Sequence, residues 1–186
     1  MELVKTDLPE VLLIKPQAHQ DARGFFLESW QKQRYEAFGI KDSWAQDNVS
    51  CSSHGVLRGL HFQFPRMQGK LITVLQGEIF DVAVDIRRGS PSFGKSVSVR
   101  LSSDNLHQLW VPKGFAHGFI VTSSTAIVSY KASEFYYPED ERSLLWNDPQ
   151  LNIPWPTEAT PLVSAKDKAG KRLADIAPSS LPLFEP

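Results

Sequence analysis

The sequence predicts an all-β sandwich or barrel with elaborated ends, and three observations carry that prediction. Short β-branched or aromatic runs recur between turn residues from about residue 44 to 137, and no helical stretch separates them. Beyond them the pattern is broken by Pro149, Pro154, Pro156, Pro161, Pro178 and Pro182, so the chain end wraps a core rather than building one. Strands in succession without crossover helices close on one another as a sandwich or barrel.

In chain order, an apolar run from Val11 ends at Pro16, and Asp21-Ala22-Arg23-Gly24 reads as a turn before Phe25-Phe26-Leu27-Glu28, which predicts an N-terminal hairpin. Residues Ser29 to Phe38 contain no Gly or Pro, space Trp30, Tyr35 and Phe38 among polar residues, and stop at Gly39, which predicts one short helix. The strand runs are Ile72 to Leu75, Ile79 to Ile86, Val97 to Leu101, Leu109 to Val111, Phe115 to Val121 and Ala126 to Tyr130. A further short helix is predicted within Ala165 to Ala174. The chain thus divides into an arm (about 1–43), a core (about 44–137) and a tail (about 138–186), read together as one domain.

With 186 residues, 41% hydrophobic and 22% charged, the chain is long enough for a sizeable core and has the composition of an ordinary globular protein. Twenty basic against twenty-one acidic residues leave a net charge of −1, which supplies no general drive toward nucleic acid or an anionic membrane. The only cysteine, Cys51, excludes an intrachain disulfide, and Met1-Glu2 opens no basic and apolar leader, so a cytoplasmic location is expected. Even Phe115 to Val121 is far shorter than the roughly eighteen apolar residues of a membrane helix.

Two histidine segments punctuated by glycine stand out, Gly55-Val56-Leu57-Arg58-Gly59-Leu60-His61-Phe62-Gln63 and Pro112-Lys113-Gly114-Phe115-Ala116-His117-Gly118. Together they resemble the two halves of a cupin, a jelly-roll barrel. Metal-binding cupins carry His-x-His in the first half, and here Gln63 replaces the second histidine. An amide oxygen is a poor ligand for a transition metal, so no metal is expected. In the strand from Phe115 the two-residue period places His117 on an apolar face with Phe119 and Val121, either as a packed core histidine or as a ligand-facing one. Asp81 and Asp85 alternate with Ile79 and Ala83, which suits a solvated face or a barrel interior. A lysine entering the barrel at Lys70 would require a carboxylate such as Asp81 beside it.

A wider set of strings is specific to one family. Arg23-Gly24-Phe25-Phe26, Gln46-Asp47-Asn48, Leu57-Arg58-Gly59-Leu60-His61-Phe62-Gln63, Gly69-Lys70-Leu71, Phe80 to Arg87 and Pro112 to Phe119 closely resemble dTDP-4-dehydrorhamnose 3,5-epimerases. Tyr130-Lys131, Leu145-Trp146-Asn147-Asp148 and Ser164-Ala165-Lys166-Asp167 extend the similarity, which runs from about Thr6 to Asp167. The resemblance implies a cupin-type jelly roll and cofactor-free inversion of C3 and C5 of a dTDP-4-keto-6-deoxy sugar, toward dTDP-L-rhamnose. It implies His61 as general base with Asp167 behind it, Lys70 as the cation at the C4 oxygen with Asp81 supporting it, and Tyr130 as the acid on the opposite face. Arg23, Phe26, Glu28, Gln46, Asn48, Arg58, His117, Phe119, Phe135, Glu141 and Lys166 are implied as substrate contacts. A homodimer in which N-terminal arms reach into the partner's site is implied as well. A relative acting at one carbon only and a ketoisomerase are the near alternatives; a metal cupin and a sugar-nucleotide binding module are the distant ones.

One conflict arises from the residues themselves. Strict alternation from Arg58 sends His61 to the opposite face, so both cannot enter one barrel. A β-bulge at Gly59 would restore them to the same side, and a bulge is expected there.

Overall fold

The computed structural model describes residues 1–157 and 159–185. Its strands are β1 (Glu2–Lys5), β2 (Leu12–Lys15), β3 (Ala18–Asp21), β4 (Gly24–Leu27), β5 (Gln46–Ser53), β6 (Val56–Gln63) and β7 (Lys70–Gln76), followed by β8 (Glu78–Asp85), β9 (Ser96–Ser102), β10 (Gln108–Val111), β11 (Phe115–Val121), β12 (Thr125–Ala132), β13 (Glu141–Ser143) and β14 (Leu162–Val163). Two short helices, α1 (Lys32–Ala37) and α2 (Ala165–Lys168), complete the regular structure with two 3-10 turns near the C-terminus. No helix among the described residues is long and apolar enough to cross a membrane.

The strands form two sheets, one ordered β1-β2-β10-β7-β12-β5 and the other β13-β6-β11-β8-β9, with β14 added beside β6. The predicted jelly-roll sandwich is the observed architecture. Its centre is an apolar cluster between the sheets that includes Ile72, Val74, Ile79, Ala83, Phe115, Phe119 and Val128. Because Ile79 and Ala83 belong to this cluster, the face of β8 that also carries Asp81 and Asp85 is the interior one. Each sheet then covers part of its outer face with a different segment. Under the tail, Leu60, Phe62, Val82, Val84 and Ala116 pack against Leu144, Leu151, Leu173, Ile176 and Leu181. Burying a side chain of that size stabilises by about 1.5–3 kcal/mol before entropy is counted, which holds a proline-broken segment with little regular structure in place.

Against the other sheet, α1 packs Tyr35 onto Leu12, Ile14, Leu71 and Trp110, and the Tyr35 hydroxyl lies 2.6 Å from Gln108 Oε1. The helix is shorter than its predicted span because Gln31 caps it, its side chain accepting from the Arg34 amide at 2.7 Å. Gly39, at φ +92°, ends it as expected. The predicted helix within Ala165 to Ala174 is two pieces, α2 capped by Ser164 and a 3-10 turn at Leu173–Asp175.

Strands β5 and β6 lacked an apolar run in the sequence, and the structure gives the reason. On β5, Gln46, Asn48, Ser50 and Ser52 stand in register with Ala132, Tyr130, Val128 and Ala126 of β12 and so face inward, while Asp47, Val49, Cys51 and Ser53 are exposed. A strand whose inner face is polar reverses the usual pattern. These are the strands that line the site.

Candidate active site

Strand β6 is the principal site-bearing element, and the bulge at Gly59 determines what it presents. Paired with β11, His61 lies opposite His117 and Arg58 opposite Phe119, so two residues of β6, Gly59 and Leu60, stand against one of β11, Gly118. Gly59 has φ +105°, and a Cβ there would lie 2.6 Å from the His117 carbonyl oxygen, which leaves glycine as the residue that fits. After this step Leu60 and Phe62 belong to the apolar layer beneath the tail, whereas Arg58 and His61 line one cleft of about 480 Å³ together with Lys166 and Asp167. The predicted bulge is present, and it puts the Arg58 and His61 side chains on the same side.

His61 Nε2 lies 2.5 Å from Asp167 Oδ1. The aspartate arrives from far along the chain because Ser164 caps α2, its Oγ accepting from the Asp167 amide at 3.1 Å. Burial pushes the Asp167 carboxyl up, but hydrogen bonds from His61, the Gly59 amide and Ser164 outweigh it and hold the group below its usual range. With a carboxylate accepting at Nε2, the imidazole keeps its proton there and leaves the Nδ1 lone pair free to take another. The histidine side chain is 27% exposed and the aspartate 5%, so the imidazole meets the cleft while its partner is enclosed.

Two further groups, Tyr130 and Lys70, feel the charge of Glu141, which itself feels His61. Tyr130 sits on the inner face of β12 beside Asn48; burial raises its phenol above the ordinary value, with Arg58 pulling it down and Glu141 pushing it up. It is therefore protonated at neutral pH. Lys70, at the start of β7, has its ammonium lowered to about 8 by burial, although the carboxylates of Glu141 and Asp81 act the other way. Burial also opposes ionisation of Glu141, but Lys166, the Tyr136 hydroxyl and His61 keep its carboxyl below the usual range. Glu141 is thus the acidic hub among His61, Lys70, Tyr130 and Lys166.

The expected Lys70–Asp81 pair is not formed. Asp81 Oδ1 instead accepts from His117 Nε2 at 2.7 Å, and no carboxylate among the described residues lies within 4 Å of the Lys70 ammonium. The cause is strand register: β8 and β11 pair side by side, which brings the Asp81 side chain to the imidazole of the adjacent strand. His117 is thereby a buried, partnered histidine at the site's inner wall, its ring 6.4 Å from that of Phe119. No group of three or more His, Cys, Asp or Glu side chains among the described residues is placed to hold a metal ion.

Comparison with known proteins adds a decisive observation. The sequence model described as dTDP-4-dehydrorhamnose 3,5-epimerase matches residues 5–175. The chain belongs to that family. It is 51% identical over 176 residues to the dTDP-4-dehydrorhamnose 3,5-epimerase of Pseudomonas aeruginosa, covering 94% of this chain and 97% of the relative. Its structure superposes with a TM-score of 0.98, at 50% identity and over 100% of this chain and 99% of the other, on the dTDP-6-deoxy-D-glucose-3,5-epimerase of Legionella pneumophila in complex with dTDP-4-keto-L-rhamnose. A 3′-monoepimerase from Streptomyces bikiniensis in complex with dTDP-quinovose shares the architecture at a TM-score of 0.90 and 31% identity, over 96% of this chain and 92% of that one.

Within this epimerase-family chain, the residues singled out from sequence fall into three groups. His61, Arg58, Lys166 and Asp167 converge on one cleft, and Glu141, Tyr130, Lys70, Gln46 and Asn48 line the adjoining inner surface. Phe119 packs in the core between the sheets, 5% exposed. Arg23, Phe26 and Glu28 do not reach that cleft within their own chain. The hairpin β3–β4 pairs only with itself, Arg23 bonds Asp21 of the same turn, and Glu28 pairs with Arg34 at 3.2 Å.

Sequence reasoning singled out Phe135 and passed over its neighbour Tyr136. Phe135 is 55% exposed, whereas Tyr136 is tied into the site at both ends: its amide donates to Gln46 Oε1 at 3.0 Å and its hydroxyl to Glu141 Oε2 at 2.5 Å, a bond that raises the phenol to about 12. The consecutive aromatics Phe135-Tyr136-Tyr137 just before an acidic run were the available signal. Also missed was the clamp of Arg66 on Asp140 and Glu139, with its guanidinium stacked 3.4 Å above the Tyr137 ring.

Proposed function

We propose that this protein inverts C3 and C5 of a dTDP-4-keto-6-deoxyhexose, giving dTDP-4-dehydro-L-rhamnose, with His61 as base and Tyr130 as acid. The observation that carries the reading is the His61–Asp167 pair at 2.5 Å, open to a cleft on one side and enclosed on the other. The C4 ketone acidifies the hydrogens on both neighbouring carbons, so one base serves two positions once the sugar is turned. His61 removes a proton, Lys70 neutralises charge gathering on the C4 oxygen, and Tyr130 delivers a proton from the opposite face. A phenol raised by burial is suited to the last step because it holds its proton until an enolate is formed. Arg58 and Lys166 offer charge-assisted bonds to a diphosphate, and the aromatic rim at Phe135 and Tyr136 offers flat surfaces to the base. The test is product NMR after turnover of dTDP-4-keto-6-deoxyglucose in deuterated water: the reading requires deuterium at both C3 and C5. Label at one carbon alone would make the protein a monoepimerase.

The pH dependence follows from Lys70. Burial lowers its ammonium to about 8, so the cation is present below that pH and lost above it. The value of kcat/KM is expected to fall as pH rises through about 8, and Lys70→Arg, which keeps its charge throughout, removes that alkaline limb. A limb unchanged in the arginine variant assigns the titration to another group.

The reading includes a homodimer that completes each site by exchanging arms. Support comes from the hairpin β3–β4, where Phe25 and Phe26 are 57% and 74% exposed beside Arg23. Two adjacent exposed phenylalanines on a self-paired hairpin form the kind of apolar surface that a second subunit covers.

A further inference from the structure

We propose that Gln63 is a positioning residue for nucleotide binding: it grips the backbone on both sides of Tyr136 and so sets the aromatic rim of the site. Gln63 ends β6 and is 4% exposed, two residues beyond the catalytic histidine. Its amide nitrogen donates to the Arg66 carbonyl at 2.8 Å and to the Phe135 carbonyl at 3.1 Å, while its amide oxygen accepts from the Tyr137 amide at 2.9 Å. Two carbonyls require donors and one N–H requires an acceptor, so the orientation of the amide is fixed and both its N–H groups are used.

The Phe135 carbonyl and the Tyr137 amide flank Tyr136, and Gln63 takes the place of a neighbouring strand for that residue. The Tyr136 amide is held by Gln46, and its hydroxyl by Glu141, which is the register partner of Gln63 across β13. One buried glutamine therefore connects the strand bearing His61 to the segment presenting the exposed ring. No other side chain type of similar size matches three such partners. A neutral imidazole offers one donor and one acceptor, and a carboxylate would face two carbonyls with oxygens of its own. The position where metal-binding cupins carry a histidine is used here to shape the mouth of the site.

This inference rests on the proposal that a dTDP-sugar lies against the rim. Steady-state kinetics and calorimetric binding of dTDP itself would be measured for the wild type, Gln63→Met, Tyr136→Ala and the double variant. KM and the dTDP Kd are expected to rise about tenfold in Gln63→Met, the order contributed by one stacked base, while kcat falls far less. In the Tyr136→Ala background, Gln63→Met is expected to weaken dTDP no further. Gln63→Glu, which keeps the shape and the acceptor for Tyr137, gives the same readout should the methionine variant not fold. Unchanged dTDP affinity, a loss confined to kcat, or full additivity with Tyr136→Ala would each overturn the positioning role. A wild type that neither binds dTDP nor turns over the sugar would instead overturn the reading beneath it.

Discussion

Replacing His61 with glutamine is expected to lower kcat by about 10²–10⁴-fold, or about 3–5.5 kcal/mol of transition-state stabilisation, with the fold intact. The glutamine amide nitrogen stands where Nε2 stood and can still donate to Asp167, so the enclosed carboxylate keeps a partner and the buried-charge penalty is avoided. What is lost is the basic lone pair. Substrate affinity is expected to change little, because the groups offered to diphosphate and base are Arg58, Lys166 and the rim. Stopped assays of product formation alongside thermal unfolding separate the two effects: activity falls and the unfolding midpoint stays. A variant with near-normal kcat would remove His61 from the chemistry.

Gly59→Ala is expected to destabilise the protein by about 3 kcal/mol or more, through positive-φ strain added to overpacking. The new Cβ would stand 2.6 Å from the His117 carbonyl oxygen and 2.8 Å from the Gly118 Cα, both of them backbone atoms that cannot swing aside. Gly118 faces the same constriction from β11, where a Cβ would meet the Arg58 carbonyl oxygen at 2.6 Å. Relief by a one-residue slip of β6 would turn His61 into the layer packed beneath the tail and bring Phe62 toward the cleft. Stability and activity should therefore fall together, in contrast to His61→Gln. Denaturant unfolding of the two variants side by side checks the difference.

The contrast between these substitutions also explains how much was legible in the sequence. Strands such as β8 and β11 announce themselves because their interior face is apolar, and the bulge at Gly59 could be inferred because two functional side chains otherwise faced opposite ways. The partnership of Asp81 was misread because a carboxylate's neighbour is set by cross-strand register, which sequence spacing does not encode; β8 lies beside β11 and gives Asp81 to His117 rather than Lys70. Tyr136 was passed over for a related reason. It bonds Gln46 and Glu141, and Gln63 bonds the Tyr137 amide beside it; Gln46 and Gln63 lie far away in sequence and meet this segment only when β5, β6 and β13 are brought together. The arm residues Arg23 and Phe26 carry a family resemblance, but within one chain they stand on a self-paired hairpin.

The most direct test is to recover dTDP-4-keto-6-deoxyglucose after incubation with the His61→Gln variant in deuterated water and to read C3 and C5 by proton NMR. If this imidazole is the group that removes both hydrogens, neither position exchanges beyond the enzyme-free control, whereas wild-type protein labels both. Deuterium entering either carbon at the wild-type rate in the variant would contradict the account.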